Sequence, residues 1–114
     1  MREPSTKSFN DTQIQLTGKL FRGLGDPNRL RILEYLIEKE RNVGELVALL
    51  GAPQGRVSNH LACLRWCGFV TTERKGRFLY YKVADERIVK VIELAKSLMA
   101  DHAEHIYSCT RITF

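Results

Sequence analysis

The chain has 114 residues, 44% hydrophobic and 27% charged, with 18 Lys and Arg against 13 Asp and Glu for a formal net charge of +5. That length suits one domain with a modest core, and no apolar run reaches the roughly 20 residues that a membrane-crossing helix needs. Three cysteines, an odd number, argue against a disulfide framework, and the positive balance points to an anionic partner.

Residues 1–10 are polar and read as a flexible N-terminus. Met1 to Asp11 lacks the apolar region of a signal peptide, so the protein is expected in the cytoplasm, with no membrane partner. From Asp11, the residues Ile14, Leu16, Leu20, Phe21 and Leu24 fit one helix face, with Asp11 or Thr12 as N-cap. Gly25-Asp26-Pro27 ends that helix and starts another. Asp26 suits the cap, and Pro27 suits the first helical turn. Leu30, Ile32, Leu33, Leu36 and Ile37 give the second helix its buried side. Asn42 caps a short third helix over Val43 to Leu50.

After the turn Gly51-Ala52-Pro53, a helix is expected over Gln54 to Cys67, closed by Gly68 as a C′ glycine. Val57, Leu61 and Leu64 form its packing stripe. Gln54, Arg56, Ser58, Asn59 and His60 carry side chains able to reach phosphates and base edges. Two short helices, a glycine turn and a second helix with a polar start make a helix-turn-helix pattern.

The hydrophobic period then changes. Phe69 to Arg74 and Phe78 to Val83 are rich in β-formers around the turn Lys75-Gly76-Arg77, which reads as a hairpin with a basic tip. A hairpin directly after such a helix is a wing. Arg74, Lys75 and Arg77 are placed to follow a phosphate backbone; the alternative is a charged tip that only keeps the hairpin soluble. Asp85 caps a last helix in which Ile88, Val91, Ile92, Ala95, Leu98, Met99 and His102 share one stripe. So long a stripe needs cover, and a second subunit would supply it. The expected fold is therefore mainly α (α+β): a winged helix-turn-helix of about five helices and a two-stranded wing, homodimeric. Residues 11–106 form the domain and 107–114 a tail.

Cys63 and Cys67 stand at i and i+4 near the end of the fourth helix. That spacing puts both thiols on one face, with Cβ atoms about 5–6 Å apart, a separation that a soft metal ion can bridge. Oxidation of the same pair is the alternative chemistry, with Arg65 and the DNA-facing cations favouring thiolates. Buried cysteines that merely fill space are the third possibility. Trp66 is expected to pack and to shield the pair. No serine-histidine-carboxylate set, paired carboxylates or phosphate-cradling glycine loop suggests an enzyme.

Asp26-Pro27-Asn28-Arg29-Leu30-Arg31-Ile32-Leu33, then Ser58-Asn59-His60-Leu61-Ala62-Cys63-Leu64-Arg65, then Gly68-Phe69-Val70 closely resemble the ArsR/SmtB family of winged-helix repressors, over roughly Leu20 to His102. Within it the likeness is to the cadmium- and lead-responsive CmtR type, which is similar in carrying Cys-x-x-x-Cys late in the recognition helix and a further cysteine near the C-terminus. Cys63 and Cys67 match residue by residue; Cys109 matches in kind.

The resemblance implies a homodimer bound to double-stranded operator DNA when metal-free. A thiophilic ion held by Cys63, Cys67 and Cys109 would release it. That ion is expected to be Cd(II) or Pb(II), with Hg(II) or As(III) as further candidates; there is no permanent cofactor. Two other metal sites of the family are not matched. Glu45-Leu46-Val47-Ala48-Leu49 lacks the cysteines of the one before the turn. Asp85-Glu86-Arg87 puts an arginine where the zinc site of the last helix has a histidine.

Overall fold

The computed structural model describes residues 9–112. Helix α1 (Asp11–Leu24) leads into α2 (Pro27–Glu38), a two-residue strand β1 (Arg41–Asn42), α3 (Val43–Leu50) and α4 (Gln54–Trp66). Strands β2 (Val70–Lys75) and β3 (Phe78–Val83) follow, and α5 (Glu86–Ser108) closes the chain.

Local chemistry sets most of these boundaries. Asp26 accepts from the backbone N–H groups of Asn28 and Arg29 at 2.8 and 3.2 Å, and Pro27 occupies the first helical position of α2. Asn42 and Glu45 exchange side-chain-to-backbone hydrogen bonds at the start of α3, each 2.9 Å, which is a capping box. Cys67 follows α4 and Gly68 takes φ +80. The Phe69 N–H then reaches back to the Leu64 carbonyl at 2.8 Å, a Schellman closure that only a left-handed residue permits cheaply.

The cap of α1 is a correction. Asn10, not Asp11 or Thr12, accepts from the Gln13 N–H at 2.8 Å, and Gln13 returns a bond to the Asn10 N–H at 2.9 Å. Both partners can be bonded at once only with the Asn-x-x-Gln spacing. Residue 10 therefore belongs to the helix entry, not to the flexible terminus; residues 1–8 of that segment, and 113–114 of the tail, lie outside the described residues. The last helix also runs on to Ser108, with non-helical dihedrals at His102 (φ −122, ψ 21) marking a kink.

The sheet adds a strand to the expected two-stranded wing. It has three strands, in the order β1-β3-β2, all antiparallel. Arg41 and Asn42 pair with Tyr81 and Tyr80 on the side of β3 away from β2. The backbone of Asn42 is extended because it is the N-cap of α3 (φ −89, ψ 172), so the same residue serves as cap and as strand. Arg41 is held by its Nε donating to the Tyr35 carbonyl at 3.0 Å and by an ion pair with Glu38.

The core lies where α2, α3 and α4 meet the base of the hairpin. Ile32 and Leu33 of α2, Leu46 of α3, and Leu61 and Leu64 of α4 are fully enclosed, and Leu24, Leu36, Val57, Phe69, Val70 and Ile92 complete the cluster. The stripe expected on α4 is thus the one that packs. By contrast Ile14, Leu16, Leu20 and Phe21 of α1, and Leu94, Leu98 and Met99 of α5, are exposed within one chain.

Candidate functional site

Packing Val57, Leu61 and Leu64 inward leaves the first turns of α4 facing solvent. Gln54, Arg56 and Asn59 are exposed, and Ser58 is half-buried. At the wing, Arg74 and Arg77 are exposed, and the Arg77 guanidinium lies 5.6 Å from the Phe78 ring centre. Lys75 is engaged within the chain, its ammonium 2.6 Å from Glu40 Oε1. That hydrogen bond raises the Lys75 pKa.

His60 is turned toward the body. It is half-buried, with Nδ1 3.5 Å from the Arg29 guanidinium. Arg29 itself donates to the Gly23 carbonyl at 2.7 Å and to the Arg22 carbonyl at 3.3 Å. One guanidinium thus ties the C-terminal carbonyls of α1 to the middle of α4. Burial works to raise the pKa of nearby Asp26, but its bonds from the Arg29 and Asn28 N–H groups outweigh that and hold the carboxylate below its ordinary range.

Arg56, His60, Cys63 and Cys67 recur at i, i+4, i+7 and i+11, a single stripe along α4 beside the core stripe. Cys63 is half-buried and Cys67 exposed, both as free thiols, and Cys63 is near enough to bear on the ionisation of Cys67. The Cys67 sulfur sits against α1: a Cβ placed on Gly23 would lie 3.8 Å from it and 3.1 Å from the Phe69 ring. The thiol end of α4, the end of α1 and the buried Phe69 therefore form one joint.

Burial pushes the Cys67 thiol up, and the neighbouring Cys63 adds to the rise; Arg29 and Lys19 pull the other way and do not prevail. For Cys67 this direction is opposite to the one expected from nearby cations. The cations that face Cys67 are Arg29 and Lys19, not Arg65, and desolvation outweighs them.

Trp66 is the other correction: it is 90% exposed. It stands more than 150° around the helix from Leu64, roughly two steps of 100°, so it cannot share the packing stripe. It borders an open groove with Leu16, Lys19, Leu20, Cys67 and Phe69.

Cys109 lies just beyond α5 and is half-buried. Among the described residues of one chain no group of three or more Cys, His, Asp or Glu is arranged to hold a metal, so Cys63 and Cys67 are brought together and Cys109 is not. The carboxylate of Asp85 is taken up by Arg87 at 2.7 Å, and that side-chain bond helps bring its pKa down to about 2. No described helix is long and apolar enough to cross a membrane. Sequence reasoning assigned no role to Arg29, Gly23 or Glu40. Arg29 stood in the Asp-Pro-Asn-Arg motif, but nothing local indicates that its side chain reaches back to α1.

Residues 26–72, from the α2 cap into β2, match the arsR family of bacterial regulatory proteins. A probable mercury resistance operon repressor of Streptomyces lividans is 43% identical over 101 residues, covering 89% of this chain and 81% of that protein. The transcriptional regulator CmtR of Mycobacterium tuberculosis is 41% identical over 83 residues, covering 72% of this chain and 70% of its own. Among solved structures, a homodimeric winged helix-turn-helix DNA-binding domain from Mycobacterium bovis, a possible ArsR-family regulator, superposes with a TM-score of 0.76 at 25% identity, over 88% of this chain and 95% of that one. With the helix-turn-helix and wing in place and these relatives beside it, the chain belongs to the ArsR family: it is a DNA-binding transcriptional regulator, not an enzyme.

Proposed function

We propose that this regulator is a homodimeric, cytoplasmic repressor that holds a palindromic operator when metal-free and releases it when a thiophilic ion occupies Cys63 and Cys67. The observation that carries the reading is the placement of this thiol pair. It sits on the DNA-reading helix itself, at the joint with α1. An ion there is bonded to the element that contacts DNA, so occupancy and operator affinity are coupled without a long relay. Couplings of this kind amount to about 1–3 kcal/mol.

The donor set defines the ion class. Sulfur ligands favour soft ions, and Zn(II) prefers a closed set of four ligands. Hg(II), Cd(II), Pb(II) and As(III) are the candidates; the mercury-resistance and CmtR relatives support that class. Cys109 of a second copy would complete the set. With a divalent ion, three neutral thiols become three thiolates around it, a net gain of one negative charge beside a DNA-facing helix, which opposes phosphate contact. Oxidation is the weaker alternative. The two Cβ atoms, about 5–6 Å apart on a helix, exceed the roughly 3.5–4.5 Å of a disulfide, so a bridge would have to open the last turn.

The second copy is supported by what one chain leaves uncovered. The radius of gyration is 16.1 Å, against roughly 13 Å for a compact domain of about this size, because α1 and α5 project from the body with apolar faces bare. Leu98 of α5 is 60% exposed. Leu98→Asp is expected to leave the monomer folded and convert the protein from dimer to monomer at micromolar concentration, as followed by sedimentation. A parent that sediments as a monomer would end the two-fold model.

For the DNA face, Gln54, Arg56, Ser58 and Asn59 are the base-reading candidates, with His60 at their margin, and Arg74 and Arg77 are the phosphate contacts. Arg56→Ala is expected to weaken operator binding and relax specificity. Arg77→Ala should weaken binding evenly across sequences and reduce the salt slope by about 1. Competition with unrelated DNA across a salt series checks both.

The test of the whole reading is a titration of the reduced protein with Hg(II), Cd(II) and Pb(II) while operator binding is followed. Near-ultraviolet charge-transfer absorption should rise in step with release, and emission from Trp66, next to Cys67, should fall. Release by peroxide or diamide in the absence of metal would favour oxidation instead.

A further inference from the structure

We infer that Lys75 is a positioning residue that straps the wing to the helical body, not one of its phosphate contacts. Lys75 is the last residue of β2, beside the tip glycine Gly76, whose φ is +64. Its side chain does not extend past the tip. It turns back over the sheet, with the ammonium 5.6 Å from the Tyr80 ring centre and 2.6 Å from Glu40 Oε1. Glu40 immediately precedes β1, and β1 is the edge of the sheet opposite β2. The pair therefore spans the sheet from one edge to the other.

The strand register agrees with this placement. Lys75 stands opposite Phe78, and Glu73 opposite Tyr80, so Lys75 and Tyr80 share a face. Val70, Tyr81 and Val83 occupy the other face, toward the core. Tyr80 is also the register partner of Asn42 in β1, which carries the same face on toward Glu40. Lys75 is thus held on the outer side of the sheet, above the third strand.

Two physical facts keep it there. Glu40 Oε1 is buried and has no hydrogen-bond partner among the described residues other than this ion pair. Moving Lys75 to a phosphate would give up the 2.6 Å contact with Glu40 and the stacking on Tyr80 together, for a single exposed, salt-screened contact. The second fact is that β1 has two residues, little backbone pairing with which to hold a lever that must stay aligned with α4. Arg74 and Arg77 form no ion pair with another described residue, which leaves them as the wing's cations for DNA.

The inference rests on the DNA-binding reading of the wing and not on the metal reading; operator binding by the parent protein checks the former first. Kd for the operator would be measured across a salt series for the full-length Lys75→Met and Glu40→Gln proteins and for the double variant, each shown to be folded by thermal melting. Each single variant should weaken binding by about three- to tenfold, the double variant should be no weaker than either single one, and all should keep the parent's salt slope. The exchanged pair, Glu40→Lys with Lys75→Glu, should recover most of the lost affinity. A slope reduced by about 0.9 in Lys75→Met, with Glu40→Gln binding as tightly as the parent, would overturn the strap in favour of a phosphate contact. Parent-like affinity in both single variants would overturn it as well.

Discussion

Serine at Cys63 or at Cys67 is expected to abolish tight soft-metal binding and, with it, metal-driven release of the operator, while operator binding without metal stays within about twofold of the parent. The two halves of this result separate the proposed mechanism from its rivals. Serine is close to cysteine in size, Cys67 is exposed, and Cys63 is only half-buried, so neither change opens a core cavity. The chemistry changes completely, because a neutral hydroxyl is a poor ligand for a thiophilic ion. With one thiolate left on α4, the three-sulfur donor set that holds the ion is broken. Cys109→Ser should behave differently. It leaves the α4 pair intact, so binding weakens, and the share of release that comes from tying α4 to the tail of a second copy is lost. The measurements are charge-transfer absorption for binding and fluorescence anisotropy of labelled operator for release. Retention of metal-driven release in the Cys63 and Cys67 variants would sink the proposal; loss of folding in them would return the cysteines to a packing role.

Leu61→Ala should be among the most damaging single changes to stability. Leu61 is fully enclosed in the cluster that joins α4 to α2 and α3. Truncating an enclosed leucine costs about 2–5 kcal/mol through lost transfer energy and the remaining cavity, against a total of about 5–15 kcal/mol for a typical domain. A fall in Tm of roughly 8 °C or more follows for a domain of this size. Function should suffer before unfolding does, because the same leucine sets how α4 is presented. A melting curve with operator affinity measured well below Tm distinguishes the two effects. Ala62→Ser, on the exposed side of the same helix, is the matched control and should leave Tm within about 2 °C of the parent. Equal melting of the Leu61 variant and the parent would mean that the core is not where the packing puts it.

What was legible in the amino-acid sequence is what depends on near neighbours. Asp26 before Pro27, Asn42 before Val43, Asp85 before Glu86 and Gly68 after the fourth helix act within four residues, and each caps or closes the helix it was expected to. The stripe Val57-Leu61-Leu64 and the hairpin around Gly76 were readable because a helix or a strand repeats its own period. The i, i+4 spacing of Cys63 and Cys67 likewise places two thiols together on any helix. Asn10 was equally local, and its partner Gln13 was the signal passed over.

Only the tertiary structure could decide the rest. A strand of two residues has no period, so β1 exists because β3 offers it an edge and because the cap of α3 already holds Asn42 extended. Lys75 looked like every other cation at a wing tip until the sheet brought Glu40 across to it. Arg29 reaches Gly23 and His60 through the crossing of three helices, and Trp66 faces outward because Leu64 claims the inward direction. Cys109 stays apart from the other two cysteines within one chain because it follows a 23-residue helix that spans about 35 Å at 1.5 Å per residue. Each of these outcomes is a contact between residues distant along the chain, and such contacts are set by how whole elements pack, which no local pattern of side chains encodes.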